Sequence, residues 1–284
     1  MGDVRFGEYE VVAPLASGGM GGVYLATHRT TGDRVALKVL DPLFANHAEV
    51  VDRLYAERTV SARASHPGLV EIRAAARSAD NIPYLVMEFL SGETLAQIVE
   101  RGALELDAIV GVGAQIAAAL AALHEADIVH CDVKPENLFV LDDQDWQGWP
   151  TVKVIDFGVS RLVDEPPPDE TSIAGTPAYM APEQWRGRPE PASDVYAFGC
   201  VMYELLTGST PFDGSLPQLM LAHLEQRPAR PTWLRANVPV ELERIVMRAL
   251  AKEPALRPTM AELARALRRL ADVPNAGDTL RMAG

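Results

Sequence analysis

The feature that most constrains this chain is a change of hydrophobic period near Ser91-Gly92. Over residues 9–89 it is cut into short apolar or β-branched runs, YEVVAPLA, GGVYLATH and RVALKVL, separated by SGGMG and TTGD turns. That is the punctuation of strands. One helical pattern interrupts them within 48–64, where Val50, Val51, Leu54 and Tyr55 recur at helical spacing. Further strands are expected near 70–77 and 84–89. Past Gly92 the period becomes helical. Residues 104–125 carry Ile109, Val112, Ile116, Leu120 and Leu123 on one stripe, although Gly111 and Gly113 weaken the pattern. Residues 194–207 are apolar nearly all round and stop at Gly208, which predicts a buried central helix. Residues 240–252 and 259–270 are amphipathic. The expected fold class is α+β: a small antiparallel β lobe with one helix (9–90), a hinge at 87–92, a larger helical lobe (91–270) and a polar tail (271–284).

Two stretches read as loops. Residues 142–150 (DDQDWQGWP) form an acidic, tryptophan-bearing insertion expected to be a hairpin excursion. Residues 164–172 (DEPPPDETS), with three prolines and four acids, should be extended and exposed.

The net charge of −13 argues against a nucleic acid or an anionic membrane surface as partner, because both favour a basic face. The only two cysteines, Cys131 and Cys200, suit a reducing compartment rather than a disulfide scaffold. No uninterrupted apolar run reaches membrane-spanning length, and the first ten residues, MGDVRFGEYE, contain no apolar signal region. Arg5-Phe6 leaves the initial Met-Gly without the Ser or Thr that myristoylation requires. The expectation is a cytoplasmic chain, or the cytosolic domain of a longer membrane-anchored one, with no membrane segment of its own.

The chemistry centres on residues 128–140, IVHCDVKPENLFV, which set Asp132, Lys134 and Asn137 along one short loop. A carboxylate can orient a hydroxyl and take its proton, an ammonium can offset phosphate charge, and an amide oxygen can hold Mg²⁺. Upstream, the glycine-rich stretch Leu15, Ala16, Ser17, Gly18, Gly19, Met20, Gly21, Gly22, Val23 lies between two strands. Its backbone N–H groups could cradle a phosphate, and a plain hairpin turn fits the pattern as well. Lys38, flanked by apolar residues on a strand, points to a buried partner. Glu57 in the next helix is a candidate for it, with a solvated helix glutamate as the alternative.

Asp156-Phe157-Gly158, Ala181-Pro182-Glu183, Asp194 and Arg257 follow in order. Together with the loop at Asp132 they match the protein-kinase signature set, and over about 9–270 the chain resembles the eukaryotic-like protein kinases. The wording GGMGGVYLA, HPGLVEI and GTPAYMAPEQW is most similar to the bacterial Ser/Thr kinases. The resemblance implies a bilobal kinase fold and ATP as nucleotide, with Mg²⁺ or alternatively Mn²⁺. It gives Asp132, Lys134, Lys38 and Glu57 catalytic roles and makes Asn137 and Asp156 the metal ligands. It places the phosphates under 18–23, with Leu15, Ala16 and Ser17 at the loop's edge. Val23, Ala36 and Phe139 would sandwich the base, Met87 would be the gatekeeper, and Glu88 to Leu90 would bond adenine. The implied partners are protein substrates with Ser/Thr acceptors, the chain itself among them, and a homodimer is one arrangement the family admits. Lys134 and Gly175-Thr176 follow the Ser/Thr rather than the tyrosine pattern. A silent ATP-binding scaffold and a small-molecule phosphotransferase are the alternatives. The intact Lys38, Asp132 and Asp156 argue against the first, and Gly175-Thr176 with Ala181-Pro182-Glu183 against the second.

Two departures stand out. Ala16 replaces the family's first loop glycine, which should at most weaken nucleotide binding. Cys131 stands where the family has the arginine that pairs with a phosphorylated activation-loop residue. A thiol cannot make that charge-assisted bond, so activity should depend little on phosphorylation at Thr171 or Ser172.

Overall fold

A computed structural model describes residues 4–102, 104–144, 149–163 and 175–272. The first lobe is a six-stranded antiparallel sheet, β1 (Arg5–Phe6), β2 (Tyr9–Gly18), β3 (Gly21–His28), β4 (Arg34–Leu40), β5 (Ile72–Arg77) and β6 (Pro83–Glu88), in the spatial order β1-β2-β3-β4-β6-β5. The helix α1 (Ala48–Arg63) lies between β4 and β5 in sequence. Strand alternation sorts the core. Val35, Leu37 and Val39 of β4 join Phe6, Ala26, Tyr84 and Val86 in one cluster. Leu40 and Leu85 instead join Val51 and Leu54 of α1 in a second cluster continuous with the core of the other lobe. At the start of β3, opposite the last residue of β4, a Cβ on Gly21 would stand 2.1 Å from the Val39 carbonyl oxygen, so only glycine fits.

After the hinge come β7 (Gly92–Thr94), α2 (Leu95–Arg101) and α3 (Leu106–Glu125). Next are the short β8 (Ile128–Val129), the hairpin strands β9 (Leu138–Gln144) and β10 (Pro150–Val154), and β11 (Arg161–Leu162). The large lobe is completed by α4 (Pro191–Thr207), α5 (Leu216–Glu225), α6 (Pro231–Leu234), α7 (Val240–Ala249) and α8 (Met260–Ala271). β9 pairs with both β7 and β10, and β8 with β11. β9 and β10 pair as a hairpin whose strand ends take in the flanks of the acidic insertion, 142–144 and 150, with 145–148 outside the described residues. The proline-rich stretch at 164–172 and the tail from 273 on also lie outside them.

The central helix α4 is buried almost throughout and ends at Gly208 in the left-handed conformation, φ 81°. It begins at Pro191, three residues before the apolar run, because proline sits well in a first turn. The weak point of α3 has a packing explanation. A Cβ on Gly111 would press on Trp149 and one on Gly113 on Met202, at 2.4 and 2.7 Å. These glycines let β10 and α4 approach closely. α3 is the one described helix long and apolar enough to cross a membrane, with mean hydropathy 1.9, where the sequence pointed to no uninterrupted apolar run of that length. Here 61 % of that window is buried in the lobe, so α3 serves as a core helix.

Candidate active site

The loop between β8 and β9 is held from below by α4. Asp194 accepts the N–H of His130 (2.8 Å) and of Cys131 (2.9 Å), and His124 of α3 reaches the same carboxylate at 2.9 Å. His130 is fully buried, its ring 5.9 Å from that of Phe157, so it is packing rather than chemistry. Cys131 adopts φ +67°, an uncommon conformation for a residue with a side chain, maintained by bonds on both of its sides. Its thiol is buried and lies 3.7 Å from the Val129 carbonyl oxygen.

Asp132 then emerges with its carboxylate surrounded by donors. Thr176 Oγ1 donates to Oδ1 (2.7 Å), Lys134 Nζ lies 2.8 Å from Oδ2, and Lys134 also donates to Thr176 Oγ1 (2.8 Å). Asn137 Nδ2 donates to the Asp132 carbonyl (2.9 Å) and more weakly to Oδ2 (3.3 Å). With its nitrogen engaged there, the Asn137 side chain presents Oδ1 as a cation donor.

A second cluster comes from the small lobe. Lys38 Nζ bonds Glu57 Oε1 of α1 at 2.6 Å and Asp156 Oδ1 at 2.9 Å. The candidate partner Glu57 is thus buried and paired, and the solvated alternative does not hold. Burial works to lower the pKa of Lys38, but the charges of Glu57 and Asp156 outweigh it and the net direction is upward. Burial pushes the Glu57 carboxyl up to about 7 against the pull of Lys38. Burial would also raise Asp156, yet the Lys38 charge and its hydrogen bond hold that carboxyl below its ordinary value. Asp156 sits at φ +63° and accepts the Gly158 N–H at 3.2 Å. A Cβ on Gly158 would stand 3.1 Å from Asp156 Oδ1 and 3.2 Å from Glu57 Oε1, so glycine leaves room for both carboxylates.

The glycine-rich turn between β2 and β3 roofs a cavity of about 420 Å³. Ala16, Ser17, Gly18, Gly19, Met20, Gly21, Gly22 and Val23 line it from above, with Lys38, Glu57, Asp132, Asp156 and Gly158 below. A Cβ on Gly19 would meet nothing within 4 Å, so this part of the loop presents open backbone to the cavity. Val50, Arg53 and Leu54 of α1 complete the wall, and no sequence motif had singled them out for it. Leu15, Ala36, Met87, Glu88, Leu90 and Phe139 are not among its walls. Ala36 pairs with Met87 across β4 and β6, and Phe139 lies on β9 opposite Thr94. Glu88 is more constrained than the sequence implied. Its N–H goes to the Glu71 carbonyl (3.0 Å), and its carboxylate takes Lys153 Nζ (2.6 Å) and the Glu71 N–H (2.8 Å).

Among the described residues no cluster of three or more His, Cys, Asp or Glu could hold a metal. Asp156 and Asn137 together offer two hard oxygen donors, which suits a cation whose remaining sites are filled by phosphate oxygens and water. Away from the cavity, Arg257 grips Glu183 in a bidentate pair at 2.6 and 3.0 Å, a brace for the segment after Gly175.

This arrangement of lysine–glutamate pair, glycine turn and loop aspartate coincides with a family match. Residues 9–267 fit the protein kinase domain. The chain belongs to that family. It is 40 % identical over 255 residues to the serine/threonine-protein kinase Pkn1 of Myxococcus xanthus, covering 88 % of this chain and 36 % of that protein. It is 36 % identical over 276 residues to the probable serine/threonine-protein kinase PknB of Corynebacterium glutamicum, covering 92 % and 42 %. To the serine/threonine-protein kinase PkaA of Streptomyces coelicolor it is 37 % identical over 280 residues, covering 93 % and 50 %. The chain therefore spans half or less of the length of these relatives.

Proposed function

We propose that this kinase domain transfers the γ-phosphoryl group of ATP to serine or threonine hydroxyls of proteins, as a cytosolic enzyme or the cytosolic domain of a longer chain. The observation that carries the reading is that Asp132 and the Lys38–Glu57–Asp156 set line one cavity beneath the glycine turn. Lys38, oriented by Glu57, contacts the α- and β-phosphates, and the open backbone of 18–23 covers them. Asp156 and the Asn137 amide oxygen would hold Mg²⁺, which would supply positive charge against the phosphates. Asp132 orients the acceptor hydroxyl and takes its proton, and Lys134 stabilises the transferring group. The adenine would sit between Val23, Ala36 and Phe139, beside Met87, Glu88 and Leu90.

The reading includes a regulatory corollary: turnover depends little on phosphate at Thr171 or Ser172. Cys131 provides no guanidinium to receive such a phosphate, and its thiol is buried. Thr176 and Gln184 already join the segment after Gly175 to the catalytic loop through ordinary side-chain bonds. Phosphosite mapping after incubation with Mg·ATP tests both parts, using the native chain and the double variant Thr171→Ala/Ser172→Ala. Phosphoserine or phosphothreonine should form, with most of the rate kept in the variant. A loss on the order of a hundredfold in a folded variant removes the corollary.

A further inference from the structure

A catalytic carboxylate needs a fixed backbone as well as fixed partners, and the peptide unit entering Asp132 is held in an unusual way. Its carbonyl belongs to Cys131 and its N–H to Asp132. The N–H donates to His130 Nδ1 at 3.3 Å, within the loop. The carbonyl accepts a 2.8 Å bond from Gln184 Nε2, a residue 53 positions away. The same carboxamide accepts the Ala181 N–H at Oε1, 3.0 Å. A carbonyl on one side and an N–H on the other admit one orientation of the amide, so both of its ends are used. Gln184 is buried, 4 % exposed, and Gly175 closes over the contact. A Cβ on Gly175 would stand 3.1 Å from the Cys131 oxygen and 3.4 Å from Gln184 Nε2.

The neighbouring residue points elsewhere, since Glu183 turns to Arg257 and Ser193. One short turn is thus tied through consecutive side chains to the body of the large lobe and to the catalytic loop. Cys131, at φ +67°, is held by Asp194 at its N–H and by Gln184 at its carbonyl.

We propose that Gln184 is a positioning residue for phosphoryl transfer, fixing the Cys131–Asp132 peptide plane and coupling the segment after Gly175 to the aim of the Asp132 carboxylate. Gln184 does not line the cavity beneath the glycine turn, and acts through the backbone that carries Asp132. Without it the buried Cys131 carbonyl loses a 2.8 Å side-chain donor, and the left-handed conformation at Cys131 loses one of the bonds that hold it.

Two variants of the full chain test this with Mg·ATP and casein as acceptor. Gln184→Leu removes both bonds at similar volume. It should lower kcat about 10- to 100-fold while KM for ATP stays within about twofold, because the nucleotide cavity is untouched. Amide exchange over 131–134 should rise at least about tenfold, with exchange around Lys38 and Glu57 unchanged. Gln184→Glu is the conservative arm. Protonated, its carboxyl donates to Cys131 and accepts from Ala181 as the amide does; ionised, it sets negative charge against a carbonyl oxygen. Burial favours the protonated form, as does Asp194 on α4 and Asp132 in the loop, while Lys134 opposes and the Glu183–Arg257 pair is internally balanced. The ratio of its kcat to that of the native chain should be near one at low pH and fall as pH rises between about 5.5 and 9. The inference is overturned if Gln184→Leu keeps kcat within about twofold with unchanged exchange, if its loss falls wholly on KM for ATP, or if the Gln184→Glu ratio is flat with pH. It rests on the phosphotransferase reading. An inactive native chain would count against that reading, and the exchange measurement judges Gln184 without turnover.

Discussion

Thr176 is the residue whose loss should expose most clearly how Asp132 is aimed. Its hydroxyl donates to Asp132 Oδ1 at 2.7 Å and accepts from Lys134 Nζ at 2.8 Å, so one small group joins acid and base. Thr176→Val keeps the shape and removes both bonds. A hydrogen bond to a charged partner contributes about 1.5–3 kcal/mol. The direct contact between Lys134 and Asp132 at 2.8 Å survives the change, so the net loss corresponds to one such bond rather than two. If that loss appears in the transition state, kcat falls roughly 10- to 100-fold. KM for ATP should stay within about twofold, because Thr176 does not line the nucleotide cavity. Thr176→Ser keeps the hydroxyl and should stay within about threefold of the native kcat. Steady-state phosphorylation with varied ATP and varied acceptor separates these terms. Equal losses for valine and serine, or a valine variant within about twofold of native, would refute the reasoning.

Two further outcomes follow from the same geometry. Burial raises the Glu57 carboxyl from 4.5 to about 7, so protonation below that pH removes the charge that orients Lys38. Activity should fall as pH drops through about 7, and in Glu57→Gln the remaining activity should lose that limb, which a pH–rate profile of kcat/KM for ATP checks. The stability contribution runs the opposite way. The folded state binds this proton more tightly than the unfolded one, so its stabilising contribution is complete below 4.5 and is lost as pH rises through about 7. Gly111→Ala places a Cβ 2.4 Å from Trp149. Overpacking of about 1–3 kcal/mol should exceed the roughly 1 kcal/mol gained in helix propensity, lowering the urea midpoint. Gly19→Ala, with nothing within 4 Å, is the control and should leave it unchanged.

What could be read from the chain was what is local. Lys38, Asp132 and Asp156 each sit in a short string, and the strand and central-helix patterns are carried by adjacent residues. β4 falls at Arg34–Leu40 as its apolar run indicates, and α1 at Ala48–Arg63. Glu57 was a candidate only from its place in the helix after Lys38, and its burial beside Lys38 depends on α1 packing across the sheet. What was not legible depends on distance. The contact from Gln184 to Cys131 spans 53 residues and that from Thr176 to Asp132 spans 44, with nothing in either neighbourhood to announce them. The two glycines of α3 looked like weakness until Trp149 and Met202 filled the space over them. α2 went unassigned although Thr94 and Gln97 form a capping box, a signal present in the sequence. α5 buries only Ala222 and His223, so its apolar stripe was too thin to read.

The central claim, that Asp132 serves phosphoryl transfer to serine or threonine, is tested most directly by one comparison. The native chain and Asp132→Asn are each incubated with γ-labelled ATP, Mg²⁺ and a protein acceptor, and the label is assigned by phosphoamino-acid analysis. The native chain should place it on serine or threonine, and the variant should fall by about a thousandfold or more while still binding ATP. Equal transfer by both chains, or label on tyrosine or released only as free phosphate, would contradict the claim.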